Sequence, residues 1–298
     1  MEVLALFGPT AVGKTAVAIA IAERLRARGQ DAVAVSADAI QVYRGLEVLS
    51  GAASPEERAH LETRLVSFLP VTETWSAGAH AARAHAEIDA ILAEGRVPIV
   101  VGGTGLYLRA ALADLSLAPP PDPALRARLL ERYDADPEAA HAELARLAPE
   151  RAGVLPVGDR QRVVRALELA HAGADPGLPA ENELWTTATR RPTRLIGLTM
   201  DRDALVARID ARCAAMLAAG AESEVRAADA AGASATARKA LGFAELLAGD
   251  ADGMRTRTRR YARRQMTWLR KLPAVERIDM TGRTPEEAAG VILPAQDR

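Results

Sequence analysis

The sequence has few of the residues that mark several common protein classes. Cys213 is the single cysteine, so no internal disulfide can form. Aromatic residues make up only 3% of the chain, which argues against a broad platform for stacking nucleic-acid bases. No apolar run is long enough to span a membrane, and the N-terminal run, which stops at Phe7, is too short for a signal peptide. These absences predict a cytoplasmic protein without a membrane partner.

Charge is almost balanced, with 38 Lys and Arg residues against 39 Asp and Glu residues. A formal net charge of -1 gives no global basic field, so a nucleic-acid partner would have to be bound by local basic patches. With 298 residues and 49% hydrophobic composition, the chain suits one large domain, or one domain with an insertion, around a substantial core.

The order of the apolar runs predicts an α/β protein with a doubly wound parallel sheet. The predicted strands cover residues 3–7, 32–35, 97–101, 195–198 and, at the sheet edge, 275–278. Helical periodicity predicts helices over residues 14–28, 77–94, 203–219, 221–230, 236–248 and 254–272. A proline cluster at 119–123 opens a polar helical stretch. We therefore expect a core of residues 1–117 and 192–298, including C-terminal helices, and a helical insertion domain over residues 118–191.

A glycine-rich motif follows the first predicted strand. It fits G-x-x-x-x-G-K-[ST] and consists of Gly8, Pro9, Thr10, Ala11, Val12, Gly13, Lys14 and Thr15. Its backbone N–H groups would point at phosphate oxygens, Lys14 would add a positive charge, and the Thr15 hydroxyl could bind Mg²⁺. A chance turn with a solvated lysine is the alternative, but the strand before the motif and the helix after it favour a phosphate site. The core is therefore predicted to be P-loop NTPase-like, although the motif does not identify the phosphate compound.

The second carboxylate of an ordinary P-loop NTPase is missing. Such proteins usually carry an acid at the end of another strand to organise Mg²⁺, whereas the strand 97–101 is followed by Gly102, Gly103 and Thr104. Asp38, after the second strand, is the nearby acid. At the C-terminal end of a parallel strand it would point into the ligand crevice, where it could bind Mg²⁺ or accept a proton. A role in capping or turning the chain is the alternative.

Three basic patches could hold a polyanion. The first is Arg126 with Arg128, the second is Gln161 with Arg162 and Arg165, and the third lies on the helix 254–272. The third has no acid between its basic residues, which are Arg255, Arg257, Arg259, Arg260, Arg263, Arg264, Arg270 and Lys271. A solvated helix face is the alternative for each patch, but uncompensated like charge in the third favours a polyanionic partner. Tyr261, Trp268 and Leu272 share one face of this helix and are predicted to be core residues.

Six segments in order along nearly the whole chain together resemble the tRNA dimethylallyltransferases. They are residues 8–15, 36–45, 102–107, 159–168, 236–243 and 260–270. Two short stretches depart from the family pattern. Residues 52–55 read Ala-Ala-Ser-Pro where the family usually has Thr-Ala-Lys-Pro, and residues 63–65 read Thr-Arg-Leu in place of His-His-Leu. These departures concern local contacts of residues 50–66, not the P-loop or Asp38.

The resemblance implies transfer of the dimethylallyl group of dimethylallyl diphosphate to N6 of the adenosine 3′ of the anticodon in tRNA. It implies that the catalytic residues are Asp38 as general base, Thr104 and Lys14. Mg²⁺, held by Thr15, would be the cofactor, and Lys239 would lie near the diphosphate. The anticodon stem-loop of tRNA would contact Asp38, Ala39, Ile40, Gln41, Thr104, Arg126, Gln161, Arg162, Val163, Val164 and Arg165.

Three other functions stay open at this stage. An adenylate isopentenyltransferase would use a free nucleotide as acceptor, but the helical insertion and the basic C-terminal helix favour tRNA. The missing second acid argues against a P-loop small-molecule kinase. Asp38 beside an intact P-loop argues against a non-enzymatic RNA-binding protein switched by a nucleotide. We expect a monomer, since no apolar surface helix requires a partner.

Overall fold

The computed structural model describes residues 2–117, 122–174 and 183–294. The chain forms two compact units. One combines residues Met1–Leu115 with Leu184–Arg298, and the other is Ser116–Glu183. Within the described ranges, no helix is both long and apolar enough to cross a membrane.

The first unit is built on a six-stranded parallel sheet with strand order β4-β2-β6-β1-β7-β8. A two-stranded parallel sheet pairs β3 with β5. The strands are β1 (Val3–Phe7), β2 (Ala32–Ser36), β3 (Tyr43–Arg44), β4 (Thr63–Arg64), β5 (Leu69–Pro70), β6 (Val97–Gly102), β7 (Thr193–Thr199) and β8 (Glu276–Asp279). The predicted α/β class, the five predicted strands and the edge position of the last one are confirmed.

Fourteen α-helices lie in the described ranges. Those of the first unit are α1 (Lys14–Arg26), α2 (Glu47–Ser50), α3 (Pro55–His60), α4 (Ala77–Ala93), α5 (Gly105–Leu112), α10 (Arg202–Ala218), α11 (Ala221–Ala230), α12 (Phe243–Leu247), α13 (Ala251–Lys271) and α14 (Pro285–Ile292). Those of the second are α6 (Pro123–Ala135), α7 (Pro137–Leu147), α8 (Pro149–Val154) and α9 (Arg160–His171). Two short 3₁₀ helices cover Glu183–Trp185 and Ala237–Lys239.

Residues of β1 alternate between two hydrophobic layers because successive side chains of a strand point to opposite faces. Leu4 and Leu6 join the layer that includes residues of α1 and α14. Phe7, with Val3 and Ala5, joins the layer that includes residues of α4, α5 and α13. The sheet is therefore covered by helices on both faces, as a buried parallel sheet requires.

The register of the central strands sets up one functional edge. Phe7 of β1 lies opposite Gly102 of β6, and Ser36 of β2 lies opposite Val101. The carboxyl ends of three adjacent strands are therefore level. The P-loop, Asp38 and Thr104 follow these three ends, which places them at the same edge of the sheet.

The predicted helix 236–248 is wrong. The chain instead forms the 3₁₀ helix Ala237–Lys239 and then α12, separated by Gly242 at φ 92°. A side chain at Gly242 would also come within 2.9 Å of Met254. Helix α14 was not predicted, although Thr284 and Glu287 form a capping box and Pro285 opens the first turn, both of which mark a helix start.

The insertion has its own hydrophobic core, which includes Leu129, Tyr133, Leu144 and Leu167. Its predicted C-terminal boundary at residue 191 is wrong, because residues 184–191 belong to the first unit. There Arg190 and Arg191 both pair with Asp89 of α4, and Trp185 packs on Trp268 of α13 at 4.6 Å. Predicted insertion residues 118–121 and 175–182 lie outside the described residues.

Candidate active site

The P-loop joins β1 to the N-terminus of α1. Gly13 adopts φ 102°, in the left-handed region that favours glycine. No side chain caps the first turn of α1. The leading N–H groups and the positive end of the helix dipole are therefore available to an anion, as the motif predicted.

Lys14 is folded back onto the P-loop. Its Nζ donates to the carbonyl oxygens of Gly8 and Pro9, both at 2.9 Å. Burial, and second the charge of Arg212, together lower the pKa of Lys14 to about 7, against an opposing effect of Asp38. The lysine is half-buried, and its protonated form is destabilised in this environment.

Two arginines of α10 also reach the P-loop region, and neither was predicted. A side chain at Gly13 would come within 3.4 Å of Nη2 of Arg208. Arg212 donates to the Gly51 carbonyl at 3.4 Å, and burial lowers the pKa of its guanidinium. Arg212 has no ion pair with any described residue, and its buried Nε has no hydrogen-bond partner there. Arg208, Arg212 and Lys14 bring positive charge to the P-loop region, where Asp38 and Glu57 are the carboxylates that act on Arg212, and this charge favours binding of an anion.

Removing the charge of Lys14 should stabilise the protein near neutral pH. The unfolded lysine keeps its ordinary pKa of 10.5, whereas the folded one titrates near 7, so the burial penalty is full below pH 7 and fades as pH rises toward 10.5. Each unit of pKa difference is worth about 1.4 kcal/mol, so Lys14→Met should gain a few kcal/mol at neutral pH. Urea unfolding of both proteins at about pH 7 and about pH 10 should show a gain that shrinks at the higher pH. An equal gain at both pH values would contradict this assignment.

The structure shows the turn-shaping role of Asp38, and its role as a base or a Mg²⁺ ligand stays a prediction. Its Oδ1 accepts the backbone N–H groups of Ile40 at 2.8 Å and Gln41 at 3.3 Å, so the carboxylate does shape the turn. Its Oδ2 accepts the Thr104 hydroxyl at 3.4 Å. One oxygen therefore fixes the carboxylate, while the other is directed to the strand-end cleft beside Thr104.

The hydroxyl of Thr104 lies 3.0 Å from that of Tyr261 on α13. Burial, with the nearby charge of Asp38 as a second cause, raises the pKa of Tyr261 to about 12, so its phenol stays protonated. Tyr261 was predicted to be only a core residue, and that prediction missed its polar end. The predicted core positions of Trp268, packed on Trp185, and of buried Leu272 are confirmed.

The other residues predicted near the acceptor lie on the turn after β2. Oε1 of Gln41 accepts the Ser36 hydroxyl at 2.8 Å, and its Nε2 donates to the Gly51 carbonyl at 3.2 Å. Ala39 and Ile40 are half-buried on the same turn. The structure thus brings Asp38, Gln41, Thr104 and the P-loop together. Lys239 is exposed at the end of its 3₁₀ helix, and its closeness to a diphosphate stays a prediction.

The insertion unit presents the other predicted tRNA contacts. Arg126 and Arg165 pair with opposite oxygens of Glu168, at 2.7 and 2.8 Å, and that carboxylate is only 2% exposed. Arg126 also donates to Gln161 at 3.4 Å. Arg162 pairs with Asp159, the N-cap of α9. These polar side chains form one ordered group at the start of α9.

Val163 and Val164 do not belong to this polar group. Both side chains are 0% exposed and lie in the hydrophobic core of the insertion. The prediction that they contact tRNA is therefore wrong for their side chains. Their packing holds α9 in place, and RNA contact by the polar residues beside them stays a prediction.

The basic patch on α13 is smaller than predicted. Arg255, Arg257 and Arg259 are compensated by Asp252, Glu245 and Asp210, all of which lie outside the predicted helix 254–272. The prediction of wholly uncompensated charge is wrong for these three. Among described residues, four exposed arginines of this helix have no ion pair, and they are Arg260, Arg263, Arg264 and Arg270. Lys271 is exposed but lies over the Trp185 ring.

Thr15 is the single predicted protein ligand of Mg²⁺. One protein ligand is compatible with a metal ion that takes most of its ligands from substrate and water. Within the described part of the chain, no group of three or more His, Cys, Asp or Glu side chains could hold a metal ion. Mg²⁺ often needs no such cage, since it keeps waters and binds substrate phosphates. Thr15 borders a small cavity whose lining is mostly apolar but includes the polar side chains of Ser36, Gln41, Glu57 and Thr63. That Thr15 holds Mg²⁺ together with a diphosphate stays a prediction.

Fold and site together define a P-loop α/β protein that pairs a phosphate cradle with one carboxylate at the neighbouring strand end. The chain belongs to the IPP transferase family, whose model matches residues 41–272. A tRNA dimethylallyltransferase of Thermobifida fusca is 42% identical over 286 residues, which cover 92% of this chain and 88% of the relative. One from Anaeromyxobacter sp. (strain K) is 43% identical, with 91% and 90% covered. The resemblance inferred from six segments is confirmed.

The fold is similar to that of solved structures over nearly the whole chain. The full-length tRNA isopentenylpyrophosphate transferase of Bacillus halodurans is 29% identical, with a TM-score of 0.69 and coverage of 98% of this chain and 94% of that one. A eukaryotic dimethylallyltransferase acting on tRNA has a TM-score of 0.74 at 23% identity, and supports the fold alone.

Proposed function

We propose that this enzyme transfers the dimethylallyl group of dimethylallyl diphosphate to N6 of the adenosine 3′ of the anticodon in tRNA. The relatives are named tRNA dimethylallyltransferases, and the chain matches them over most of its length. One observation in the structure supports the proposal most directly. The Asp38 carboxylate and the Thr104 hydroxyl meet at the strand ends beside a P-loop that carries Lys14 and has Arg212 close by. A cradle for the leaving group and a proton acceptor therefore share one edge of the sheet.

The donor half of the site suits a diphosphate leaving group. As the allylic C–O bond breaks, its electron pair stays on the diphosphate, whose negative charge grows. Lys14, Arg212 and the N-terminus of α1 would stabilise that charge. Mg²⁺ held by Thr15 would supply further charge neutralisation as a Lewis acid.

The acceptor half suits a weakly basic amine. N6 of adenosine forms the new bond to the allylic carbon, and the proton that it loses passes to Oδ2 of Asp38. Thr104 would orient the amine, since its hydroxyl already faces Oδ2 and is held by Tyr261. The adenine has to leave the anticodon stack to reach such a site, and a closed site would keep water from the allylic carbon. We also propose a cytoplasmic location, where such a tRNA substrate would be found.

The unpaired arginines of α13 favour tRNA over a free adenine nucleotide as acceptor. Arg260→Ala with Arg263→Ala should weaken tRNA binding and reduce the slope of log affinity against log salt by about one to two, because fewer counterions are released. Arg255→Ala with Arg259→Ala is the matched control, since both of those arginines already pair with acids. Filter binding at several salt concentrations measures both pairs. Equal effects of the two pairs would contradict a specific RNA-binding role.

Product analysis separates the proposal from a kinase. With dimethylallyl diphosphate, Mg²⁺ and unmodified tRNA, the enzyme should release one inorganic diphosphate for each prenyl group found on adenosine. ATP added to the same mixture should stay intact. ADP formed in step with turnover would overturn the transferase and favour the kinase.

A further inference from the structure

Gln265 connects two loops that are far apart in sequence. It lies on α13 and is 4% exposed. Its Oε1 accepts the backbone N–H of Thr10 in the P-loop at 2.8 Å, across 255 positions of the chain. Its Nε2 donates to the Gly103 carbonyl at 2.8 Å, across 162 positions. One amide therefore links the loop after β1 to the loop after β6.

The surroundings are shaped to admit this amide. A side chain at Gly103 would approach Nε2 of Gln265 to 2.3 Å, so residue 103 has to be glycine for the contact to form. The same side chain would come within 3.3 Å of the Gly8 carbonyl and 3.4 Å of Nζ of Lys14. The amide, the Gly8 carbonyl and the Lys14 amine thus all surround Gly103.

Both ends of this link are next to groups that the reaction needs. Thr10 lies within the loop that would hold the diphosphate, and Gly103 precedes Thr104, whose hydroxyl meets Asp38. Tyr261, one helical turn before Gln265, contacts Thr104 as well. Helix α13 therefore holds the donor loop and the acceptor loop with two side chains of the same face.

An amide is the side chain that meets both demands. The Thr10 N–H needs an acceptor and the Gly103 carbonyl needs a donor, and a neutral primary amide offers one of each. A thioether of similar length would leave both backbone groups without a partner in a buried place. Asparagine keeps both groups but is one carbon shorter, so its contacts with the two loops would be longer and weaker than those of glutamine.

We propose that Gln265 is a positioning residue for prenyl transfer. It fixes the separation between the diphosphate cradle and the Asp38–Thr104 pair, so that N6 and the allylic carbon meet at reacting distance. This inference rests on the proposed function. Its first consequence is that Gln265 holds the P-loop in the conformation that binds diphosphate. This consequence can be tested with diphosphate alone, without tRNA.

The experiment compares Gln265→Met and Gln265→Asn with wild type. Calorimetry measures binding of inorganic diphosphate with Mg²⁺, and rapid quench measures the single-turnover rate at saturating donor and tRNA. Since a misplacement of about 1 Å costs up to about 100-fold in rate, Gln265→Met should lose at least about tenfold in rate and several-fold in diphosphate affinity. Gln265→Asn should show a smaller loss in both, and tRNA affinity should change less than about twofold in either variant.

Thr258→Val is the matched control. Thr258 is a buried polar residue of the same helix, 6% exposed, whose hydroxyl donates to the Met254 carbonyl one turn back at 2.8 Å and also interacts with Cys213, but not with the P-loop or Gly103. This variant should shift the melting temperature without changing diphosphate affinity or rate. If the Gln265 variants likewise lose melting temperature but keep wild-type affinity and rate, the positioning role is overturned. If Gln265→Met does not fold, the Asn variant decides between these outcomes.

Failure of the proposed function gives a different result. Wild-type protein would then bind diphosphate but transfer no prenyl group to tRNA. In that case a loss of diphosphate affinity in Gln265→Met would still support the link to the P-loop, and an unchanged affinity would still overturn it.

Discussion

Asp38→Asn should lower the single-turnover rate by about 10²–10⁴-fold, the range typical of a lost general base. Asparagine keeps the size of the side chain, and its carbonyl can still accept the N–H groups of Ile40 and Gln41 that fix the turn. It cannot take the proton from N6. Affinity for tRNA should fall much less than the rate, because the arginines that would hold the RNA are untouched. Rapid-quench kinetics with prebound tRNA and excess donor measures the rate directly.

A Mg²⁺ titration separates the base from a metal ligand. If Asp38 instead held Mg²⁺, directly or through water, the Asp38→Asn rate would recover as the metal concentration rose. A missing base cannot be replaced by more metal, so we expect the rate to stay low at saturating Mg²⁺. A near-wild-type rate under that condition would show that Asp38 is not the base.

Lys14→Met should lower turnover with dimethylallyl diphosphate by more than about tenfold, since a charge contact to a leaving group is worth at least 1.4 kcal/mol. The expected gain in stability of the same variant distinguishes this loss from unfolding. Lys271→Met is the matched control, because it removes an exposed lysine that lies over Trp185 and not in the P-loop. Steady-state kinetics at varied donor concentration measures both. An unchanged turnover for Lys14→Met would exclude the P-loop as the diphosphate site.

Local patterns predicted the parts of the site that lie at strand ends. The P-loop is a contiguous motif, and Asp38 follows a buried strand, so the geometry of parallel strands brings them together. The pairing of β1, β2 and β6 confirms that geometry. Sequence reasoning succeeds here because each residue is placed by the strand immediately before it.

Contacts between distant segments could not be predicted in this way. Arg212 and Gln265 reach the site from α10 and α13, and no local spacing marks either residue. The compensation of Arg257 and Arg259 likewise depends on acids from neighbouring elements. Such contacts depend on how helices pack against other elements. A periodic pattern indicates which face of a helix is buried, but not which distant residues that face contacts.

For helix α9, the spacing of apolar residues gave a better prediction than the family resemblance did. The α9 residues Val163, Val164 and Leu167 recur at the spacing of a buried helical face, and all three lie in the insertion core. The resemblance to a tRNA-binding segment assigned RNA contact to the two valines as members of that segment. Periodicity alone would have separated the buried valines from the exposed or half-buried polar residues Gln161, Arg162 and Arg165.

The identity of the acceptor is tested most directly with dimethylallyl diphosphate that is labelled in its prenyl group. The enzyme is incubated with this donor and Mg²⁺, with either unmodified tRNA or AMP as the acceptor, and the tRNA is then digested and sequenced by mass spectrometry. We predict that label enters tRNA at the single adenosine 3′ of the anticodon and that AMP stays unlabelled. Label on AMP with none on tRNA would contradict the account and assign the enzyme to free adenine nucleotides.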